Sequence, residues 1–216
     1  GVIKVLCLGD SITNREVPAR VKAKLVSMGY TPTMVGTMAN DGGEWGEGRG
    51  SWEYADFIGM DTSLPAVPIG GEAAYLALVA TNGSNPGRWH NNPFLRPSVA
   101  GDDPTRVYSG LIFDFPSYLL RFGVPTPDLV MVQLGTNDIN LRSVDQAIAQ
   151  INAGMATMIP SILSASPTIR VGIGLPTLPA TTNGHGTWRL YMPRAIGAIL
   201  NYVAGIASSR VDVVPT

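Results

Sequence analysis

Ser11 and Asn137 are the residues whose types and settings best suit chemistry. Ser11 lies in Gly9-Asp10-Ser11-Ile12-Thr13, directly after the apolar run Val2 to Leu8, and Asn137 lies in Gly135-Thr136-Asn137-Asp138, directly after Asp128 to Leu134. Both runs read as buried parallel strands, so each residue falls at a strand's carboxyl end. A serine one turn before a helix meets free backbone N–H groups and the positive end of the helix dipole, which favour negative charge developing beside it. That suits a nucleophile or an oxyanion. Asn137 adds a neutral amide donor, the kind of group that stabilises a tetrahedral oxyanion in acyl transfer. In a third stretch, Glu47-Gly48-Arg49-Gly50-Ser51-Trp52, small residues let the chain approach closely enough to bring a backbone N–H to the same crevice.

The elements that must position these residues follow from periodicity. After the first strand, Val17, Val21, Leu25 and Met28 recur at helical spacing, with Pro18 in the first turn and Gly29 as a C-terminal cap. Thr33 to Thr37 reads as the second strand, Asp128 to Leu134 as the third, Ile169 to Leu175 as the fourth and Val211 to Val214 as the fifth. Ile148, Ile151, Met155, Met158 and Ile162 mark one helix face, opened by a capping box of Ser143 and Gln146. Ile196, Ile199, Leu200, Val203 and Ile206 mark another. The alternation predicts an α/β, three-layer domain with a flavodoxin-like, mostly parallel five-stranded sheet of order 2-1-3-4-5. Strands one and three then flank the point where the order reverses, and ligands bind outside their carboxyl ends, so Ser11 and Asn137 face one crevice. Residues 42–110 read as a long loop region crowded with turn residues, whose one apolar run is Ala73 to Ala80. No repeat or second domain is indicated, so residues 1–216 read as a single domain.

Composition narrows the function classes. Of 216 residues, 45% are apolar and 14% charged, which excludes a disordered acidic or basic tail protein. The net charge is -1, and Lys4, Lys22 and Lys24 are the only lysines, so no basic stripe tracks a phosphate backbone and no nucleic acid partner is expected. One cysteine, Cys7, and two histidines, His90 and His185, are too few for a Cys/His zinc site, and neither a metal nor a disulfide is expected. No stretch is long and apolar enough for a membrane span, and the first residues lack a signal-peptide pattern. A Gly-x-Ser-x-Gly elbow, a phosphate-binding Gly-Lys loop and a dinucleotide fingerprint are all missing, which leaves a site without cofactors.

Plainer roles go to several conspicuous residues. Asp10 and Asp138 fit turn positions where a carboxylate accepts backbone N–H groups. His90 and His185 read as loop residues. Trp45, Trp52 and Trp89 have the shape for a sugar platform, although burial is the commoner fate of tryptophan and only Trp52 lies beside a motif. Met155 and Met158 are core fillers.

On these motifs the chain resembles the SGNH hydrolases, also called GDSL-type esterases, and among them the carbohydrate esterases. Gly9 to Thr13 matches the first block with Ser11 at the nucleophile position, and Gln133 to Asp138 matches the third with Asn137 at the oxyanion-donor position. Glu47 to Trp52 follows a second block, Glu-Gly-x-x-Gly-Trp, except that Ser51 stands where the donating glycine is expected, one place after Gly50. Because the donor is a backbone N–H, the resemblance leaves Gly50 and Ser51 both open. Asn92-Pro93-Phe94 and Phe113 to Tyr118 also look like the middle of such esterases. The resemblance implies a serine esterase that removes an acetyl or other small acyl group from a carbohydrate or similar small ester, through an acyl-enzyme. An O-acyltransferase and a carbohydrate-binding pseudoenzyme are the alternatives. The family's last block, Asp-x-x-His, is not found. The favoured expectation is that it lies on a segment following Thr216; His185 or His90 as the base, and a natural pseudoenzyme, are the other two. Secretion, frequent among such esterases, is weakly favoured, and oligomeric state is open.

Overall fold

β1 (Val2–Gly9) is the longest strand and the axis of the sheet, in a computed structural model that describes residues 1–82, 91–177 and 185–215. Its side chains alternate between two layers. Leu6 and Leu8 enter the main core with Val130, Val132, Val171 and Ile173, whereas Val5 and Cys7 turn to the opposite face with Met34. That alternation is what a strand covered on both faces requires.

β2 (Thr31–Met34), β8 (Leu129–Gln133), β9 (Arg170–Gly174) and β10 (Val211–Val214) join β1 in parallel, in the spatial order β2, β1, β8, β9, β10. This is the expected order 2-1-3-4-5. The sheet is nevertheless seven-stranded rather than five-stranded. β2 pairs only with Val2 to Val5, leaving the end of β1 open on that side. β4 (Trp45–Gly48) fills the gap, aligning Leu8 with Glu47 and Gly9 with Gly48, and β3 (Met38–Ala39) pairs antiparallel with β4. Buried N–H and C=O groups at a strand edge need partners, and a second short strand supplies them where the first has ended.

Helices cover both faces. α1 (Ser11–Arg15) is a separate five-residue helix before α2 (Val17–Ser27), whose Val17, Val21 and Leu25 pack on the Val5 and Cys7 face. The Met28 of that predicted face lies past the helix end and is exposed. On the main core pack α3 (Tyr54–Ile58), α4 (Glu72–Asn82), α5 (Phe115–Phe122), α7 (Val144–Ser164) and α8 (His185–Ile206), while α6 (Thr136–Leu141) follows β8. α7 carries the predicted Ser143 and Gln146 capping box and buries Ile151, Met155, Met158 and Ile162. In α8, Ile199 is buried but Leu200 is exposed, so the buried face is narrower than the spacing predicts.

Residues 42–110 are less irregular than expected. Besides β4, α3 and α4 they hold β5 (Leu95–Pro97) and β6 (Val107–Tyr108), which pair antiparallel with β7 (Leu111–Phe113) in a second, three-stranded sheet. Asn92 holds this region to α3: its amide donates to the carbonyls of Asp56 (2.8 Å) and Phe57 (2.9 Å) and its oxygen accepts from the N–H of Phe94.

Candidate active site

The end of β1 leads straight into Ser11. Gly9 has no room for a side chain, since a Cβ there would meet the Thr13 hydroxyl and the Gln133 carbonyl. The chain turns at Asp10, whose carboxylate accepts from the N–H of Ile12 at 2.8 Å and caps α1. Ser11 is the first residue of α1 rather than one turn before a helix, and it is partly exposed. With only five residues, α1 contributes little macrodipole, so the local N–H groups matter more than the dipole that the spacing suggested. Burial pushes the Asp10 carboxyl up to about 6, against the lowering effect of the Ile12 and Thr13 N–H groups and of Arg15. Asp10 therefore has the structural role expected of it.

The second motif lies against the first. The Arg49 N–H donates to the Gly9 carbonyl at 2.8 Å, continuing the β1–β4 pairing beyond Gly48. Gly48 is required there because a Cβ would collide with the backbone of Thr13 and Asn14 in α1. The chain then reverses over Arg49-Gly50-Ser51-Trp52, closed by the Trp52 N–H on the Arg49 carbonyl at 3.2 Å. Ser51 sits in this turn at φ 65, in the left-handed region where glycine is favoured. A glycine would take this conformation without strain. Among the described residues, no acceptor takes the N–H of Ser11, Gly50 or Ser51.

Asn137 comes from the neighbouring strand. β8 aligns Gln133 with Gly9, and Gly135, at φ 104 and pressed against Pro176, caps α6. The Asn137 side-chain amide donates to the Trp52 carbonyl at 3.0 Å, which ties the third motif to the second and leaves one amide hydrogen for another acceptor. Asp138 turns inward, fully buried, and accepts from the Tyr54 N–H at 3.2 Å. Burial, with Glu53 and Asp56 nearby, holds its carboxyl well above the usual carboxylate range, against the Tyr54 N–H and its own. Bidentate pairing of Arg142 with Glu53, at 2.7 and 3.1 Å, anchors the start of α3 to the end of α6.

Sequence reasoning missed what lies beneath the turn. Glu47 and Arg49 are both fully buried and form an ion pair. The Glu47 carboxylate also accepts from the Thr37 N–H (2.6 Å), the Thr37 hydroxyl (2.7 Å) and the Tyr118 hydroxyl (2.6 Å). The Arg49 guanidinium donates to the Tyr75 hydroxyl and lies over the rings of Trp52 and Phe94, 4.8 and 5.8 Å from their centroids. The one available signal was two charged residues inside a glycine-rich strand end.

Other expected candidates part from the site. Trp52 is fully buried and offers no sugar platform, and Trp45, half-exposed, starts β4 at its far end from Gly48. Burial pushes the Cys7 thiol up to about 12, so it is no thiolate nucleophile. His185 opens α8, and His90 and Trp89 lie outside the described residues.

Neither a family sequence profile nor a curated protein sequence matches the chain. Solved structures do. An acetyl esterase with a serine-to-alanine substitution, solved with acetate ion, is 18% identical, with a TM-score of 0.52 over 99% of this chain and 78% of that one. A family 3 carbohydrate esterase from Talaromyces cellulolyticus is 19% identical, with a TM-score of 0.52 over 99% of this chain and 78% of its own. The Clostridium thermocellum family 3 carbohydrate esterase is 16% identical, with the same TM-score over 100% of this chain and 78% of its own. With its mostly parallel sheet of order 2-1-3-4-5 at the centre and helices on both faces, this chain has the fold of the family 3 carbohydrate esterases it matches.

Proposed function

We propose that this protein is a serine esterase that removes an acetyl or other small acyl group from a carbohydrate. The observation that carries the reading is the hydrogen-bonded chain joining the three motifs. Gly9 holds Arg49, the Arg49–Trp52 turn carries the N–H groups of Gly50 and Ser51, which have no acceptor among the described residues, and the Trp52 carbonyl orients the Asn137 amide. Solved proteins of the same fold are esterases, one of them an acetyl esterase with acetate ion, which supports the choice of acyl group.

In this reading Ser11 Oγ attacks the ester carbonyl carbon and its proton passes to a general base. The oxyanion is held by the Ser11 N–H, the N–H of Gly50 or Ser51, and the Asn137 amide. Collapse of the intermediate breaks the bond to the alcohol, which leaves with the proton, and water then releases the acid from the acyl-enzyme. The base is assigned to a histidine, with His185, His90 and a histidine on a further Asp-x-x-His segment as the three sources. No metal or cofactor takes part in any of these steps.

The test is labelling by an organophosphonate probe together with hydrolysis of 4-nitrophenyl acetate. Ser11→Ala is expected to abolish both. Labelling that survives, or that maps to Ser51 or Ser109, overturns the assignment. Loss of hydrolysis in His185→Ala or His90→Ala identifies the base; full activity in both places the base elsewhere. An acylated product formed when a free sugar is added identifies a transferase instead.

A further inference from the structure

Resting on the esterase reading, we propose that the buried Arg49 and Glu47 pair is a positioning device for the oxyanion site, setting the rate of the acyl step without touching substrate. Three arguments carry it. Arg49 is the joint between the motifs: its N–H is fixed to Gly9, two residues before Ser11, and its carbonyl closes the turn that holds Gly50 and Ser51. Its side chain, fully buried, meets Glu47 and Tyr75 and lies over Trp52, the residue whose carbonyl holds the Asn137 amide. Every candidate oxyanion donor is therefore tied to Arg49 through the turn or through one hydrogen bond to a neighbouring motif.

The second argument is energetic. A fully buried ion pair is poor value as a stabilising device, because desolvation offsets most of its attraction and apolar residues of similar volume often do as well. What such a pair supplies is a fixed geometry. Here the carboxylate side is over-determined, since Glu47 takes three further donors from Thr37 and Tyr118. The third is that the turn needs holding. Ser51 at φ 65 is in a conformation that a non-glycine residue leaves readily unless its flanks are anchored, and the anchor on its N-terminal side is Arg49.

The experiment uses two variants. Tyr75→Phe removes the hydroxyl that accepts from Arg49 and contacts Thr37, and keeps the ring that packs on Phe122 at 5.1 Å. The double replacement Glu47→Gln with Arg49→Met removes both charges together, so no unpaired charge is left buried. Both keep all three oxyanion donors. Misplacing a catalytic group by about 1 Å costs on the order of 10²-fold, so the double variant is expected to lose about that much in kcat, and Tyr75→Phe about tenfold, with KM within about twofold. The turn is also read without turnover: exchange of the Trp52 amide proton should quicken about tenfold or more in the double variant, with Val132 in mid-β8 unchanged. A double variant whose kcat per folded molecule stays within about twofold of wild type, whatever its melting temperature, overturns the proposal. So does an unchanged Trp52 exchange rate. A wild type that does not hydrolyse the ester overturns the esterase reading, and Trp52 exchange then still decides whether the pair holds the turn.

Discussion

Gly48→Ala is the sharpest test of how the site is built, because the added methyl group meets backbone and not a side chain that can swing away. A Cβ at Gly48 would lie 2.7 Å from the carbonyl carbon of Thr13 and closer still to the amide nitrogen and Cα of Asn14. Ordinary contact begins at 3.4 Å, so α1 and β4 must part by on the order of 1 Å, and α1 begins with Ser11. Overpacking of a tight interior costs about 1–3 kcal/mol, and rigid backbone on both sides puts this case near 3. For a chain of 216 residues that corresponds to a fall in melting temperature of roughly 6–12 °C. A displacement of about 1 Å at Ser11, the proposed nucleophile, costs on the order of 10²-fold in kcat. The assay is a thermal melt followed by circular dichroism, paired with kcat for 4-nitrophenyl acetate. Gly46→Ala is the control: it lies two residues earlier on the same strand, and its Cβ would sit 3.2 Å from the Cys7 carbonyl and 3.3 Å from Pro18 Cγ, a tight fit with modest cost. Gly48→Ala with unchanged melting and rate, or Gly46→Ala with equal damage, would refute the argument that α1 is seated on Gly48.

Asn137→Ala is expected to lower kcat by about 10² to 10³ with KM little changed, because in the proposed mechanism the amide acts on charge that develops in the transition state; a raised KM at constant kcat would make it a substrate-binding residue. Ser51→Gly relieves the strain at φ 65 and should raise the melting temperature, by about 1 kcal/mol of stability; a lower melting temperature would show that the serine side chain has a stabilising role. Asp10 has a carboxyl raised by burial from 3.8 to about 6, so its contribution to stability is complete below about pH 3.8 and is lost as pH rises through about 6. Urea unfolding should show Asp10→Asn abolishing about 3 kcal/mol of that pH dependence, and an identical slope in both proteins would count against a buried, titrating Asp10.

The placement of Ser11 and Asn137 at neighbouring strand ends was legible because its signals are local. A short motif at the end of an apolar run fixes its own turn, and the order of a parallel sheet then brings two such ends side by side. The seven-stranded edge was not legible, since β3 has two residues and β4 four, too short for a period of two to emerge. The Glu47 and Arg49 pair was hidden for a different reason. Charged residues are read as surface, and the groups that make burial tolerable here stand 10, 26 and 71 residues away in sequence, at Thr37, Tyr75 and Tyr118. Nothing near Glu47 in the sequence announces them. The Ser51 departure lies between these cases: the sequence shows a serine where glycine is expected, and only the φ of 65 shows that the turn accepts it. A backbone N–H is indifferent to its own side chain so long as the turn holds. On the proposed reading the chain can therefore change the residue beside the donor while keeping those that aim it, and its tolerance at Ser51 would depend on its rigidity at Arg49.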